Sequence, residues 1–215
     1  MIALSGLDGA GKSTQIDVLV KFFESKGKKV EVFWSRGGYT PGMEWLKRRL
    51  RKSNKSLIPS KQGNTKERDI AFSKASVRRL WLSLAIFDLI LYYGFILRFK
   101  KWMGKTIISD RYLFDTLIDF QSNFPKEKVD SWILWKLLKI MAMKPKHHFV
   151  LTVPVEESLR RSKLKNEPFP DSKKVLEYRL KKYLDYCTRN PKVHHIDGNK
   201  PVDEVEREIM SYFKA

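Results

Sequence analysis

Ile2-Ala3-Leu4-Ser5-Gly6-Leu7-Asp8-Gly9-Ala10-Gly11-Lys12-Ser13-Thr14 is the stretch that decides the fold. Its first four residues form an apolar run typical of a buried strand, and residues 6–13 match G-x-x-x-x-G-K-[ST] with none missing. A loop of this kind aims successive backbone N–H groups at a phosphate, and glycines allow the positive φ angles and close approach that this needs. An apolar helical pattern follows and ends near Gly27. The sequence therefore predicts a phosphate-binding loop between a strand and a helix.

The chemistry of this loop gives its members individual tasks. Lys12 is expected to place its ammonium between the β- and γ-phosphates, and Ser13 to offer its hydroxyl to Mg²⁺. The helix that begins here turns the positive end of its dipole toward the anion. The sequence therefore predicts a triphosphate and Mg²⁺ as ligands. The residues expected at the nucleotide are Gly6, Gly9, Ala10, Gly11, Lys12, Ser13 and Thr14.

A second strand is predicted over Lys28–Trp34, which alternates and ends in an apolar pair. Strand, helix and strand in close succession indicate a right-handed crossover and a parallel sheet. Ligands of such sheets lie at the carboxyl ends of the strands. The turn Arg36-Gly37-Gly38 follows this strand, so Arg36 is a candidate to bind a second phosphate group, with a plain turn as the alternative.

A third strand, over residues 106–109, runs directly into Asp110-Arg111-Tyr112. A carboxylate at the tip of a strand beside the phosphate loop can hold a Mg²⁺-bound water or polarise an acceptor oxygen. The adjacent guanidinium can clamp a phosphate with two hydrogen bonds. We therefore expect Asp110 and Arg111 at the substrate, although a salt bridge between them is the simpler alternative.

Two further segments are predicted from composition. Residues 160–166 read Arg-Arg-Ser-Lys-Leu-Lys-Asn and lead into a proline-rich loop. This order suits a lid over residues 160–172 that closes over phosphates and expels water, and an ordinary charged helix end is the alternative. Residues 53–65 show no periodicity and are predicted to be a flexible insert. At 215 residues the chain is expected to form one α/β domain over residues 1–215.

The net charge of +19 is unevenly distributed, since residues 36–79 contain thirteen Lys or Arg against three Asp or Glu, an excess of ten. A polyphosphate substrate, a nucleic acid or an anionic membrane surface could explain this excess, as could a basic surface that keeps the protein soluble. The single cysteine, Cys187, excludes an internal disulfide framework. The phosphate loop begins at residue 6, which leaves no room for a signal peptide before it. A cytoplasmic location is therefore expected.

The apolar stretch over residues 80–97 approaches the length of a bilayer span and has basic residues on both sides. Asp88 near its centre is expensive in lipid, so a buried core helix is favoured over a span. Peripheral membrane contact, helped by Trp132 and Trp135, is a further possibility. The adjacent pairs at 147–148 and 194–195 are histidines that cannot chelate one metal, because neighbours in a strand point to opposite faces. They are expected to flank strands as ordinary polar residues.

The order and spacing of these motifs resemble the thymidylate kinase family of nucleoside monophosphate kinases. The similar stretches are residues 6–15, 36–38, 109–112, 160–165 and 196–205. The resemblance implies an α/β fold of the three-layer P-loop NTPase type, in which helices flank a five-stranded parallel sheet. It also implies transfer of the ATP γ-phosphoryl group to a nucleoside monophosphate, with dTMP as the leading acceptor, and a homodimer.

The resemblance also implies residue roles. It assigns Asp8 to the acceptor sugar hydroxyl or the metal, Arg36 and Arg111 to the acceptor phosphate, and the turn near Asp197 to adenine. The phosphate loop has no basic residue between its glycines, which implies a catalytic cation from the lid, with Arg161, Lys163 and Lys165 as candidates. The catalytic residues expected are Lys12, Asp8, Arg111, Arg161 and Lys163. The acceptor residues expected are Asp8, Arg36, Asp110, Arg111 and Tyr112, and the metal ligands Ser13 and Asp110.

The chain departs from the family on the acceptor side. Leu89 stands where the family usually has an arginine facing the base, and small or amide residues after the Asp-Arg-Tyr motif are replaced by Asp115, Asp119 and Phe120. Unmatched buried polar groups dominate discrimination between substrates, so these changes are expected to alter the acceptor preference. A kinase of a sugar-like or lipid-linked acceptor is therefore the first alternative. A nucleic-acid-binding ATPase is a weaker one, because no nucleic-acid-binding motif supports it.

Overall fold

The computed structural model describes residues 1–34, 72–165 and 171–213. Five strands occur there: β1 (Ile2–Gly6), β2 (Val30–Trp34), β3 (Thr106–Asp110), β4 (His147–Thr152) and β5 (Val193–Asp197). The α-helices of the described residues are α1 (Lys12–Ser25), α2 (Ala75–Leu91), α3 (Leu97–Trp102), α4 (Leu113–Asn123), α5 (Ile133–Met141), α6 (Val155–Leu164), α7 (Lys173–Arg189) and α8 (Val202–Ser211). A π-helical turn, Tyr92–Ile96, joins α2 to α3, and two 3₁₀ turns lie at Pro125–Glu127 and Val129–Ser131.

The strands form one parallel sheet in the order β2-β3-β1-β4-β5. In the central strand β1, Ile2 is in register with Ile108 on one side and His147 on the other. All five residues of β1 are buried, whereas the outer strands β2 and β5 are partly exposed. This confirms the predicted α/β fold with a five-stranded parallel sheet flanked by helices. Because all strands are parallel, their carboxyl ends meet at one edge, where the phosphate loop begins.

Contacts divide the described residues into two compact units. The sheet unit contains residues 1–34, 99–118, 144–165 and 171–213, and the helical unit contains residues 72–98 and 119–143. The core of the sheet unit consists of apolar side chains from strands and covering helices, among them Leu4, Leu19, Phe149, Leu151, Tyr183 and Ile196. The single domain over residues 1–215 that the length predicts stays a prediction.

The helical unit is built around α2 and α5. One face of α2 is fully buried and carries Leu82, Ala85 and Leu89. Glu127 accepts hydrogen bonds at 3.0 Å from Nε of both Arg78 and Arg79 and so ties the first turns of α2 to the 3₁₀ turn.

The continuous helical stretch Ala75–Trp102 is long and apolar enough to cross a membrane by length and composition. Within the protein, 44% of its most apolar window is buried. The expected burial therefore holds for one face only. The opposite side exposes Leu80, Phe87, Leu91 and Phe95.

Some predicted elements differ from the structure. The sequence predicts one helix near residues 127–143, but Lys128 adopts φ +41° and Trp132 is extended, so α5 begins only at Ile133. The histidine pairs lie within β4 and β5, and His148 is buried rather than an ordinary polar residue. Other predictions lie outside the described residues: the insert at 53–65, Arg36 with its glycine turn, and residues 166–170 of the lid.

Candidate functional site

Three glycines set the backbone of the loop between β1 and α1. Gly6, Gly9 and Gly11 have φ angles of +136°, +75° and +90°, which L side chains rarely adopt. A Cβ at Gly6 would lie 1.9 Å from the Leu151 carbonyl oxygen, so this position also needs glycine for space. Gly11 is the N-cap of α1, which leaves the first N–H groups of the helix available to an anion.

Lys12 is folded back over this loop. Its Nζ donates hydrogen bonds to the carbonyl oxygens of Gly6 at 3.1 Å and Leu7 at 2.6 Å. Burial, followed by repulsion from Arg111, lowers the pKa of Lys12 from 10.5 to about 8. The two carbonyl oxygens therefore position the Lys12 ammonium. A phosphate would stabilise this ammonium more strongly than neutral carbonyls do, because the hydrogen bond would then join two charged groups.

The end of β3 places a second cation opposite the loop. Arg111 has a φ of +72°, unusual for a residue with a side chain. Its N–H donates to the Leu4 carbonyl at 2.8 Å, and its carbonyl accepts a hydrogen bond from Ser109 Oγ. The Arg111 guanidinium forms an ion pair with Asp8 of the phosphate loop.

A cavity of about 130 Å³ opens between these elements. Its lining brings together most of the residues predicted for the nucleotide and the acceptor: Asp8, Gly9, Ala10, Gly11, Lys12, Ser13, Asp110 and Arg111. Trp34 and Lys165 also line it. Trp34 was missed from the sequence, although its position at the carboxyl end of β2 is the signal that could have found it.

Asp110 is a candidate metal-binding residue. Its Oδ1 is buried and accepts no hydrogen bond from any described residue. Burial raises the pKa of its carboxyl above the usual range, although Lys12 and Arg111 oppose that rise. With the Ser13 hydroxyl in the same cavity, the oxygen donors suit Mg²⁺, which keeps several waters and takes few protein ligands. Consistently, no group of three or more His, Cys, Asp or Glu side chains placed for a metal occurs in the described part of the chain.

The cations of α6 and of its C-cap, Lys165, differ in whether they contact the cavity. Arg161 Nη1 donates to the carbonyl oxygens of Gly9 at 3.0 Å and Gly198 at 3.1 Å, and Nε pairs with Glu157. The side chain thus ties the phosphate loop to the turn after β5, and it is not among the residues that line the cavity. Lys163 is exposed and does not line the cavity either, whereas Lys165 does.

The turn after β5 lies directly against the phosphate loop. Asp197 Oδ1 accepts a hydrogen bond from Asn199 N at 2.9 Å, and Gly198 N donates to the Thr152 carbonyl at 2.8 Å. A Cβ at Gly198 would lie 2.6 Å from the Ala10 carbonyl oxygen. The residues expected near adenine and near the phosphates are therefore neighbours.

Comparison with known proteins agrees with this geometry. The family model described as thymidylate kinase matches residues 98–209 of the chain, which is more than half of its 215 residues. The chain belongs to the thymidylate kinase family.

Curated members of the thymidylate kinase family resemble the chain along nearly its whole length. It is 27% identical to a probable thymidylate kinase of Thermococcus kodakarensis, over 100% of this chain and 97% of the relative. Identity to a thymidylate kinase of Methylobacillus flagellatus is 29%, over 100% of this chain and 98% of the relative. A probable thymidylate kinase of Archaeoglobus fulgidus is 24% identical, over 100% of this chain and 95% of the relative.

The departures from the thymidylate kinase pattern lie in buried positions. In the helical unit, Leu89 is fully buried, and Phe120 packs edge-on against Trp135 with ring centroids 6.1 Å apart. Asp119 is also buried. In the sheet unit, Asp115 is buried and accepts hydrogen bonds from several donors, one of them the N–H of Tyr112. The sequence marked Asp115 only as a departure and did not predict this role.

Proposed function

We propose that the protein is a nucleoside monophosphate kinase that transfers the γ-phosphoryl group of ATP to dTMP, forming ADP and dTDP. One observation carries the proposal: Lys12, Asp110 and Arg111 line a single cavity with the phosphate loop. Two cations from distant parts of the chain thus lie at one cavity with a carboxylate whose Oδ1 is buried, which suits a site for two anionic substrates. Membership of the thymidylate kinase family supports dTMP as the acceptor.

In the proposed reaction, an oxygen of the acceptor phosphate bonds to the γ-phosphorus while the bond to the β–γ bridging oxygen breaks. Loop N–H groups and Lys12 neutralise charge on the donor phosphates, and Arg111 orients the acceptor phosphate. Lys165 supplies the further cation expected from the lid. Such a site acts through positioning and electrostatic stabilisation, because phosphoryl transfer needs little covalent help from the protein.

Mg²⁺ is proposed as the metal, with Ser13 and Asp110 as the residues that hold it directly or through water. Asp110 Oδ1, which has no hydrogen-bond partner among the described residues, supports this assignment. When bound, the ion supplies charge neutralisation at the donor phosphates.

The test of this function is an ADP-release assay with dTMP, dUMP and other monophosphates as acceptors. ADP formation that depends on dTMP and saturates with it is the expected result. Preference for a sugar-like or lipid-linked phosphate would favour the alternative acceptor, for which the apolar, buried Leu89 is the specific observation. An absence of turnover that depends on any acceptor would remove the kinase proposal.

We further propose that the protein forms a homodimer through the exposed side of α2 and the π-helical turn. Leu80, Phe87, Leu91 and Phe95 recur there at helical spacing, all exposed. An apolar face of this kind is self-complementary across a two-fold axis. Light scattering after size exclusion should give twice the 25.4 kDa chain mass, and Leu91→Arg should give a monomer. Binding of a monomeric wild type to anionic vesicles would favour membrane contact instead. A cytoplasmic location stays a prediction.

A further inference from the structure

The carboxyl group of Asp115 is the centre of a buried hydrogen-bond network in the sheet unit. Asp115 is 1% exposed. Its oxygens accept hydrogen bonds from four donors: Ser5 Oγ, the Tyr183 hydroxyl at 2.6 Å, Tyr112 N at 2.9 Å and Gly6 N at 3.4 Å. A buried carboxylate with this many donors is well satisfied and held in one orientation.

Two of these donors are backbone N–H groups that lie next in sequence to elements lining the phosphate cavity. Gly6 is the first residue of the phosphate loop, and Tyr112 directly follows Arg111. The two Asp115 oxygens accept one hydrogen bond each from these backbone groups. Asp115 therefore fixes the start of the loop relative to the turn that carries Arg111.

Arg111 needs such support, because its left-handed backbone is unfavourable for a residue with a side chain. Its N–H is held by the Leu4 carbonyl and its own carbonyl by Ser109 Oγ. The next amide, Tyr112 N, is held by Asp115. These three bonds determine both peptide units around Arg111 and hence the direction in which its guanidinium leaves the backbone.

A second layer holds the Ser5 hydroxyl toward Asp115. The Nε2 atom of His148 lies 2.8 Å from Ser5 Oγ. Because Ser5 donates its proton to Asp115, we assign Nε2–H of His148 as the donor to Ser5. The network thus runs from β4 through β1 to the turn after β3, and none of these side chains lines the cavity itself.

We propose that Asp115 is a positioning residue, which sets the direction of the Arg111 guanidinium and thereby the affinity for the acceptor phosphate. This role rests on the proposed function. A purely structural role for Asp115 would predict instead that its replacement lowers stability and affects both substrates alike.

The experiment compares Asp115→Asn with wild type in two-substrate initial-rate kinetics, using ATP and dTMP. An amide has one accepting oxygen and one donating nitrogen, so the side chain introduced by this substitution cannot accept from all four donors. Because small misplacements of a binding group cost affinity steeply, the KM for dTMP should rise about ten- to hundredfold. The KM for ATP should change much less, because Gly6 N, the donor in the phosphate loop, makes the longest of the four hydrogen bonds, at 3.4 Å.

Two further variants keep the result interpretable. Thr116→Val alters the neighbouring buried hydroxyl, which has no hydrogen-bond partner among the described residues, and should leave both KM values unchanged. Tyr183→Phe removes one donor to Asp115 and should raise the KM for dTMP less than Asp115→Asn does. If Asp115→Asn fails to fold, the KM values of Tyr183→Phe test the proposal in its place.

An unchanged KM for dTMP, or equal rises in KM for both substrates, would overturn the role of Asp115 alone. Absence of dTMP turnover in the wild type would overturn the proposed function as well.

Discussion

The phosphate loop and the turn after β3 both hold unusual backbone conformations at one cavity, but by different means. In the loop, Gly6, Gly9 and Gly11 supply positive φ angles that glycine adopts without strain. In the turn, Arg111 adopts a positive φ with a side chain attached. Its N–H donates to the Leu4 carbonyl, its carbonyl accepts from Ser109 Oγ, and the next amide, Tyr112 N, donates to Asp115. The loop is therefore encoded locally, and the turn depends on residues that are distant in the sequence.

The largest expected effect lies in the loop and concerns chemistry rather than folding. Lys12→Ala should lower kcat about a hundred- to thousandfold or more, because the ammonium acts mainly when charge moves between phosphates. The glycines still define the loop, so the midpoint of thermal unfolding should change little. Steady-state rates and thermal melts check both statements. An unchanged kcat would contradict the site assignment.

Replacing glycines tests whether the loop is set by backbone geometry. Gly6→Ala should cost more than about 3 kcal/mol of unfolding free energy, because its Cβ meets the Leu151 carbonyl and φ is strained. Gly11→Ala meets no atom within 4 Å, so only the backbone strain of about 1–2 kcal/mol is expected. Urea unfolding without ligand measures both. Equal losses in the two variants would show that the contact with Leu151 is unimportant.

Acidification tests the network that supports the turn. Burial lowers the pKa of His148 from 6.5 to about 4, so between these values the unfolded chain binds a proton that the folded chain does not. The free energy of unfolding should therefore fall as pH drops from 6.5 to 4, with a contribution from His148 of about 3 kcal/mol. Urea unfolding at several pH values should show a shallower dependence for His148→Gln. An identical dependence in both proteins would contradict the burial of a neutral His148.

A smaller effect separates the two lysines of the cationic segment. Lys165 lines the cavity and Lys163 does not, so Lys165→Ala should lower kcat about tenfold or more and Lys163→Ala very little. Steady-state kinetics of the pair provides a matched comparison, because both variants remove one exposed lysine. A larger loss of kcat in Lys163→Ala than in Lys165→Ala would show that Lys163 is the catalytic cation.

The parallel sheet and the phosphate loop could be predicted because their signals are local. The apolar run, the glycines and Lys12 are adjacent in the sequence, and each strand has its own pattern. The role of Asp115 could not be predicted in this way, since its partners Ser5 and Tyr183 are 110 and 68 residues away. Only the folded chain brings these residues together.

Similar reasons explain the other differences. Arg161 was a candidate cation at the phosphates because of the family resemblance. Whether its guanidinium faces a ligand or a carbonyl depends on the turn at Gly198, which comes from another part of the chain. His148 was expected to be an ordinary polar residue rather than a buried one. Its burial depends on a hydrogen bond to Ser5 in the neighbouring strand, which no local pattern predicts.

The central claim is that Arg111 binds the acceptor phosphate while the phosphate loop binds ATP. Two-substrate initial-rate kinetics of Arg111→Ala tests it most directly. The account predicts a rise of about tenfold or more in the KM for dTMP, because a charge-assisted contact to phosphate is lost, with little change in the KM for ATP. A rise in the KM for ATP with an unchanged KM for dTMP would contradict the account, because Arg111 would then belong to the ATP site.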